Sequence, residues 1–181
     1  WANLDFSPRQ AQAINKYANT DCVLNTIRKL VIDAVRIRLE TSDRPVGCFL
    51  SGGLDSSLVA AIAANLSIGK KIKTFSVGIE GATDLKAARE VANWIGSEHH
   101  ELVVTEEEML NAIPRTIKRI ESYDVTTVRA STPMVLLSDW IKDNFQTTVL
   151  FSGEGADELS GSYKYFEKAP SNRDFQNESV R

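Results

Sequence analysis

An α/β fold, with a doubly wound, mostly parallel sheet and helices on both faces, is predicted by three observations. From residue 46 onward, short apolar runs alternate with segments of helical period, the rhythm that builds βαβ units. The run 46–50 (Val46, Gly47, Cys48, Phe49, Leu50) is apolar on both parities, as a strand covered on both faces must be. Before it, Val23, Leu24, Ile27, Leu30, Val31, Ala34, Val35 and Ile37 recur at helical spacing, making an amphipathic helix that needs a sheet to cover.

The elements follow in order. Residues 1–20 have mixed polarity and no sustained period, and read as a linker or the edge of a longer protein. A helix is expected over 21–40, capped by Thr20 or Asp21. After a turn around Asp43 and Pro45 come the strand 46–50, a helix over 55–65, a strand over 72–77, a helix over 84–95, a strand over 101–104 and a helix over 106–120. Pro133 suits the first turn of a helix over 133–144, and a strand over 147–151 closes the alternation. One domain, 21–170, is expected, followed by a polar, loose tail over 171–181. In such a sheet ligands bind where strands end and helices begin, so motifs at those junctions carry the chemistry.

Composition excludes several classes. The chain has 181 residues, 43% hydrophobic and 25% charged, enough for one core. Twenty-one Lys and Arg stand against 24 Asp and Glu, a net charge of -3, so no basic field exists to hold nucleic acid or an anionic membrane. The longest apolar runs are too short to span a bilayer and no signal peptide opens the chain, so a cytoplasmic location is expected. Cys22 and Cys48, in a predicted helix and a predicted strand, are expected as buried reduced thiols.

The most informative stretch is Ser51-Gly52-Gly53-Leu54-Asp55-Ser56-Ser57, between a buried strand and a helix. Two glycines let the backbone turn and approach a ligand, and the helix start aims its N–H groups at an anion, with three hydroxyls beside them. The Lys of a G-x-x-x-x-G-K-[ST] loop is absent, so the loop suits a pyrophosphate rather than transfer of a terminal phosphate. A bare tight turn, with Asp55 complementing the helix dipole, is the bland alternative.

Three more stretches matter. Phe75-Ser76-Val77-Gly78 leads to Asp84-Leu85-Lys86-Ala87-Ala88-Arg89; on chemistry alone Val77 is strand core and Asp84 a helix cap. The segment 121–133 reads as a polar, Thr-rich loop feeding a helix, with Arg129 able to pair a carboxylate or phosphate bidentately. Phe151-Ser152-Gly153-Glu154-Gly155-Ala156-Asp157-Glu158 mirrors the first junction, a strand running into a glycine turn and then carboxylates able to meet an ammonium group or magnesium. By contrast, Glu98-His99-His100-Glu101 lacks the H-E-x-x-H spacing; adjacent histidines beside a strand face opposite ways and are expected on a solvated surface.

Together these stretches, over roughly residues 24–170, resemble the synthetase domain of the glutamine-hydrolysing asparagine synthetases, in the ATP-pyrophosphatase (PP-loop) superfamily with its adenine nucleotide alpha hydrolase-like fold. The resemblance implies ATP and Mg2+ as cofactors. It implies nucleotide contacts from Phe49, Leu50, Ser51, Gly52, Gly53, Asp55, Ser56, Ser57, Val77, Gly78, Asp84, Ser152, Gly153 and Tyr163. It further implies Glu154, Arg129 and Thr127 in catalysis, with Asp55 and Asp157 at the metal. The implied reaction activates the β-carboxylate of aspartate as β-aspartyl-AMP, releases pyrophosphate, and lets ammonia displace AMP. A Cys-led glutaminase domain and a C-terminal segment carrying a Lys belong to the implied parent and lie outside this chain; a homodimeric parent is left open. Two alternatives stay open: another adenylating enzyme such as a β-lactam synthetase, and a non-catalytic ATP-binding fragment.

Overall fold

The computed structural model describes residues 19–179; the linker expected over 1–20 lies almost wholly outside them. Two compact units emerge, one spanning Val35–Glu154 and the other formed by the chain before and after it.

The larger unit holds the sheet. Strands β1 (Val46–Phe49), β2 (Lys73–Gly78), β3 (Glu98–Val103) and β4 (Val149–Phe151) lie in the order β3-β2-β1-β4, and every pairing is parallel. Helix α1 (Thr20–Glu40) precedes β1; α2 (Leu54–Leu66) and α3 (Thr83–Ile95) make the crossovers from β1 to β2 and from β2 to β3. The chain then runs through α4 (Glu106–Ile120) and α5 (Val125–Asn144) to reach β4 on the far side of β1. This is the doubly wound α/β arrangement expected, and its order reverses between β1 and β4.

Each face has its own core. On one, Val35 of α1, Ala60 and Ala63 of α2, and Ala88 and Ala92 of α3 pack against Cys48, Leu50, Ile72 and Phe151. Alanines at these positions let the helix backbones come close to the sheet. On the other, Leu137 and Ile141 of α5 meet Phe75, flanked by Trp140 and Phe145. Burying a side chain of Phe or Leu size contributes roughly 1.5–3 kcal/mol, so Phe75 and Leu137, both almost fully enclosed, anchor this layer.

Several expectations change. The Thr-rich segment is helix rather than loop: α5 begins at Val125 because Asp124 caps it, its Oδ1 accepting from the Thr127 N–H at 2.7 Å and the Thr127 hydroxyl at 2.8 Å. That cap holds the Asp124 carboxyl below the usual carboxylate range. Pro133 therefore sits inside a helix, not at its start, and β-branched threonines had disguised the first two turns as loop. Strand β3 begins at Glu98, where Lys73 pairs with Glu98 across the ladder. The cap of α1 is Asn19, whose Oδ1 accepts from the Asp21 N–H at 3.1 Å, rather than Thr20 or Asp21. Nor do the histidines face solvent. They do point to opposite faces, but His99 is held by Thr74 and Ser76 while His100 stacks on Phe75 with ring centroids 5.5 Å apart.

The smaller unit contains α6 (Ala156–Ser160), a 3-10 turn (Lys164–Lys168) and α7 (Asn172–Ser179); of these only α7 falls in the 171–181 stretch expected to be a loose tail. Phe166 and Phe175 pack there with centroids 5.2 Å apart, giving the polar α7 an apolar anchor. Among the described residues no helix is long and apolar enough to cross a membrane.

The cysteines divide. Cys48 is fully buried in β1, and burial pushes its thiol up to about 12; Cys22 is exposed on α1, contrary to the buried expectation. A thiol reagent such as Ellman's reagent at pH 8 should therefore titrate one thiol in the native chain and two in denaturant, since only the thiolate of an accessible cysteine reacts. Two fast-reacting native thiols would contradict this packing.

Candidate functional site

The strand reversal leaves a crevice at the carboxyl ends of β1 and β4, and both glycine junctions open there. After β1, the Leu50 N–H donates to the Phe75 carbonyl at 2.8 Å, and the chain then leaves the sheet. Gly52 takes φ +81, a conformation that favours glycine, and lies against α3: a Cβ here would stand 2.5 Å from Ala87 Cβ and 2.7 Å from the Ala88 nitrogen. Gly53 then occupies the N-cap position of α2 with no side chain capping the helix. The amides of the first turn of α2 are thus left without a side-chain acceptor, and the dipole adds its positive end at the same place.

The loop is braced internally. Ser56 Oγ accepts from the Ser51 N–H at 3.2 Å, and the two serine hydroxyls lie 3.0 Å apart. Ser51 Oγ also sits 3.4 Å from the Gly53 nitrogen. Ser57 differs: its Oγ is buried and has no hydrogen-bond partner. Asp55 stands half-buried in the same turn.

The second junction closes on the first. After β4, a Cβ on Gly153 would stand 2.7 Å from the Asp55 carbonyl carbon and from the Ser56 nitrogen, so the turn at 152–154 seats directly on the start of α2. The Glu154 N–H donates to Ser152 Oγ at 3.1 Å, and the exposed Glu154 side chain sits at the rim of this turn.

Beside this junction is a cleft of about 180 Å³ lined by Phe49, Leu50, Ser51, Phe75, Ser76, Val77, Asp84, Pro133, Met134 and Leu137. It is smaller than the roughly 300–1,000 Å³ of sites that take a drug-sized ligand, and suits a single flat ring system. Five residues singled out from the sequence, Phe49, Leu50, Ser51, Val77 and Asp84, lie in its wall. The opposing wall of Pro133, Met134 and Leu137 comes from α5 and was missed. Gly78, at the end of β2, packs on Leu85 instead of lining the cleft.

Arg129 and Thr127 fall elsewhere. Thr127 is engaged by the α5 cap, while Arg129 is exposed and lines a separate, mostly apolar groove of about 570 Å³ between α4 and α5, with Leu110, Ile113, Tyr123 and Val128. Pro133 borders both spaces. Asp157 and Tyr163 belong to the smaller unit, where the Ser162 hydroxyl donates to Asp157 Oδ1 and the Tyr163 hydroxyl to Glu158. Among the described residues no group of three His, Cys, Asp or Glu could by itself hold a metal ion.

Such a domain, a doubly wound α/β sheet with an uncapped helix start and a small apolar cleft at its switch point, has the fold of the adenine nucleotide alpha hydrolases. Two solved structures align with it: an ammonia-dependent NAD synthetase from Campylobacter jejuni (TM-score 0.52, 19% identity, 75% of this chain and 58% of that one) and a glutamine-dependent NAD+ synthetase from Acinetobacter baumannii bound to ADP (TM-score 0.50, 22% identity, 77% and 31%). At these identities the likeness concerns the fold. The family model described as asparagine synthase matches residues 26–181, and the chain belongs to the asparagine synthase family. It is 48% identical over 165 residues to the glutamine-hydrolysing asparagine synthetases of Mus musculus and Homo sapiens, covering 89% of this chain and 29% of each relative. A probable asparagine synthetase of Acanthamoeba polyphaga mimivirus is 47% identical over 164 residues, with 90% and 30% covered. The chain thus spans about three tenths of the length of these relatives.

The two loop glycines should respond differently to substitution. Gly52→Ala meets both the positive φ and the α3 backbone, and should cost about 2–4 kcal/mol in urea unfolding. Gly53→Ala, at φ -70 with only Ser51 Oγ at 3.4 Å, should cost less than about 1 kcal/mol. Equal losses would show that Gly52 is not packed as described.

Proposed function

We propose that this chain is the ATP-binding part of an asparagine synthetase, placing the pyrophosphate of ATP at the start of α2 and its adenine in the cleft beside Val77. The observation that carries this reading is the uncapped start of α2 with Gly153 seated on it: two glycine junctions leave main-chain amides without a side-chain acceptor at a place where a bound anion can accept from them.

The chemistry is an acyl activation. The β-carboxylate of aspartate attacks the α-phosphorus of ATP, pyrophosphate leaves, and ammonia then attacks the acyl carbon of β-aspartyl-AMP, expelling AMP and yielding asparagine. Little covalent work falls to the protein; holding the reacting groups and offsetting the charge on the leaving pyrophosphate is the catalytic contribution. The α2 amides with the Ser51 and Ser56 hydroxyls serve that charge, and Phe49, Leu50, Val77 and Met134 hold the ring. Glu154, exposed at the rim of the second turn, would meet the aspartate ammonium group.

Mg2+ fits this set: Asp55 offers an oxygen ligand in the first turn of α2, and Mg2+ commonly takes one or two carboxylates and completes its shell with waters and phosphate oxygens. Bound there, it would neutralise phosphate charge. Arg129, exposed on the neighbouring groove, is the cation proposed to pair a carboxylate or phosphate of the substrates. Ammonia would come from a glutaminase domain of the parent protein, and a cytoplasmic location follows from the same reading.

Calorimetric titration with ATP and Mg2+, paired with a pyrophosphate-release assay containing aspartate and an ammonium salt, tests this. ATP binding is expected; aspartate-dependent pyrophosphate release would show that this part of the parent also adenylates aspartate. Binding with no release would limit the chain to holding nucleotide, and absence of binding would overturn the reading.

A further inference from the structure

Strand β2 carries two buried hydroxyls, Thr74 (0% exposed) and Ser76 (5%), on the face of the sheet away from Phe75. Buried polar groups need partners. A single side chain on β3 serves both: His99 Nδ1 lies 2.9 Å from Thr74 Oγ1, and His99 Nε2 lies 3.3 Å from Ser76 Oγ. Thr74 Oγ1 has a second neighbour, Ser97 Oγ at 2.9 Å; for Ser76 Oγ the imidazole is the partner found.

The imidazole is itself held. Its side chain is 10% exposed; Glu101 Oε1 stands 3.4 Å from Nε2, and Arg89 of α3 grips Glu101, with Nε at 2.8 Å. Burial pushes the His99 pKa down, while Glu101 opposes that shift and His100 and Arg89 reinforce it. The neutral ring has one donor and one acceptor nitrogen, so Thr74 and Ser76 see opposite partners and the two bonds together fix the ring in its plane.

The same stretch of β2 faces the cleft from its other side. Phe75, Ser76 and Val77 form one wall, and their positions follow from where the β2 backbone lies. We propose that His99 is a positioning residue for the nucleotide base: by tying Thr74 and Ser76 to β3 from behind, it holds the Phe75–Val77 wall at the spacing the base requires. The inference rests on the adenine cleft proposed above and extends it to a side chain that touches no ligand. Its reach is local. The pyrophosphate end, built by Gly52, the start of α2 and Gly153, makes no contact with His99, so the two halves of the nucleotide should respond differently.

The test compares AMP and inorganic pyrophosphate binding to the chain by calorimetry. His99→Leu, which leaves both hydroxyls without the imidazole, should weaken AMP about tenfold. Pyrophosphate affinity should stay within about twofold, since unconnected sites act independently. His99→Gln, whose amide reaches toward the Nε2 position and Ser76, should recover most AMP affinity, whereas His99→Asn, reaching toward Thr74, should not. Equal weakening of both ligands, unchanged AMP affinity in His99→Leu, or rescue by Asn rather than Gln would each overturn the proposal. If His99→Leu does not fold, the Gln and Asn pair decides the matter alone. Failure of the unsubstituted chain to bind AMP would instead refute the cleft assignment itself, so the two failures are distinguishable.

Discussion

A helix that begins where two parallel strands diverge, with no side chain to cap it, leaves main-chain donors that the protein does not satisfy. In this chain that helix is α2, and the remaining features of the site follow from it. Gly53 at the N-cap supplies no acceptor, so the first-turn amides and the dipole face outward into the crevice between β1 and β4. Any side chain on Gly52 or Gly153 would push α3 or the second turn off this helix start. The glycines thus serve close packing as well as turning, and the packing keeps the amides uncovered.

Around that constraint the fold divides its labour between the two faces of the sheet. Alanines of α2 and α3 bring their backbones close to β1 and β2, which puts Gly52 within reach of Ala87 and Ala88. The opposite face is filled by large side chains, Leu137, Ile141, Trp140 and Phe145 against Phe75, and the cleft is the gap left where α5 passes the strand ends. Polar groups within the sheet are paired across strands, Thr74 and Ser76 with His99 and Lys73 with Glu98, so the strand carrying one wall of the cleft is fixed from behind as well as from in front.

Much of this was legible in the residues. The doubly wound sheet followed from the double-sided run at β1 and the alternation after it, and both glycine-containing turns, Gly52-Gly53 and Gly153-Glu154-Gly155, follow a buried strand as their sequence context implies. The far wall of the cleft was not legible. Pro133, Met134 and Leu137 carry no local sign of the site, since only the crossing of α5 over the strand ends brings them there, and Pro133 had been read as a helix start. The capping role of Asp124 was hidden in a stretch whose threonines favour extended backbone as strongly as helix. Alternation along β3 marks His99 only as one face of a strand and does not reveal the Thr74 and Ser76 hydroxyls that meet it from β2.

The central claim is that the nucleotide lies at the strand reversal, with its phosphates on α2 and its base against Val77. Amide chemical shifts followed by NMR during titration with ATP and Mg2+ test it directly. The largest perturbations should fall on residues 50–57, 75–78 and 152–154. Perturbations concentrated instead on the groove between α4 and α5, or at the opposite end of the sheet around residues 40–46 and 66–73, would contradict it.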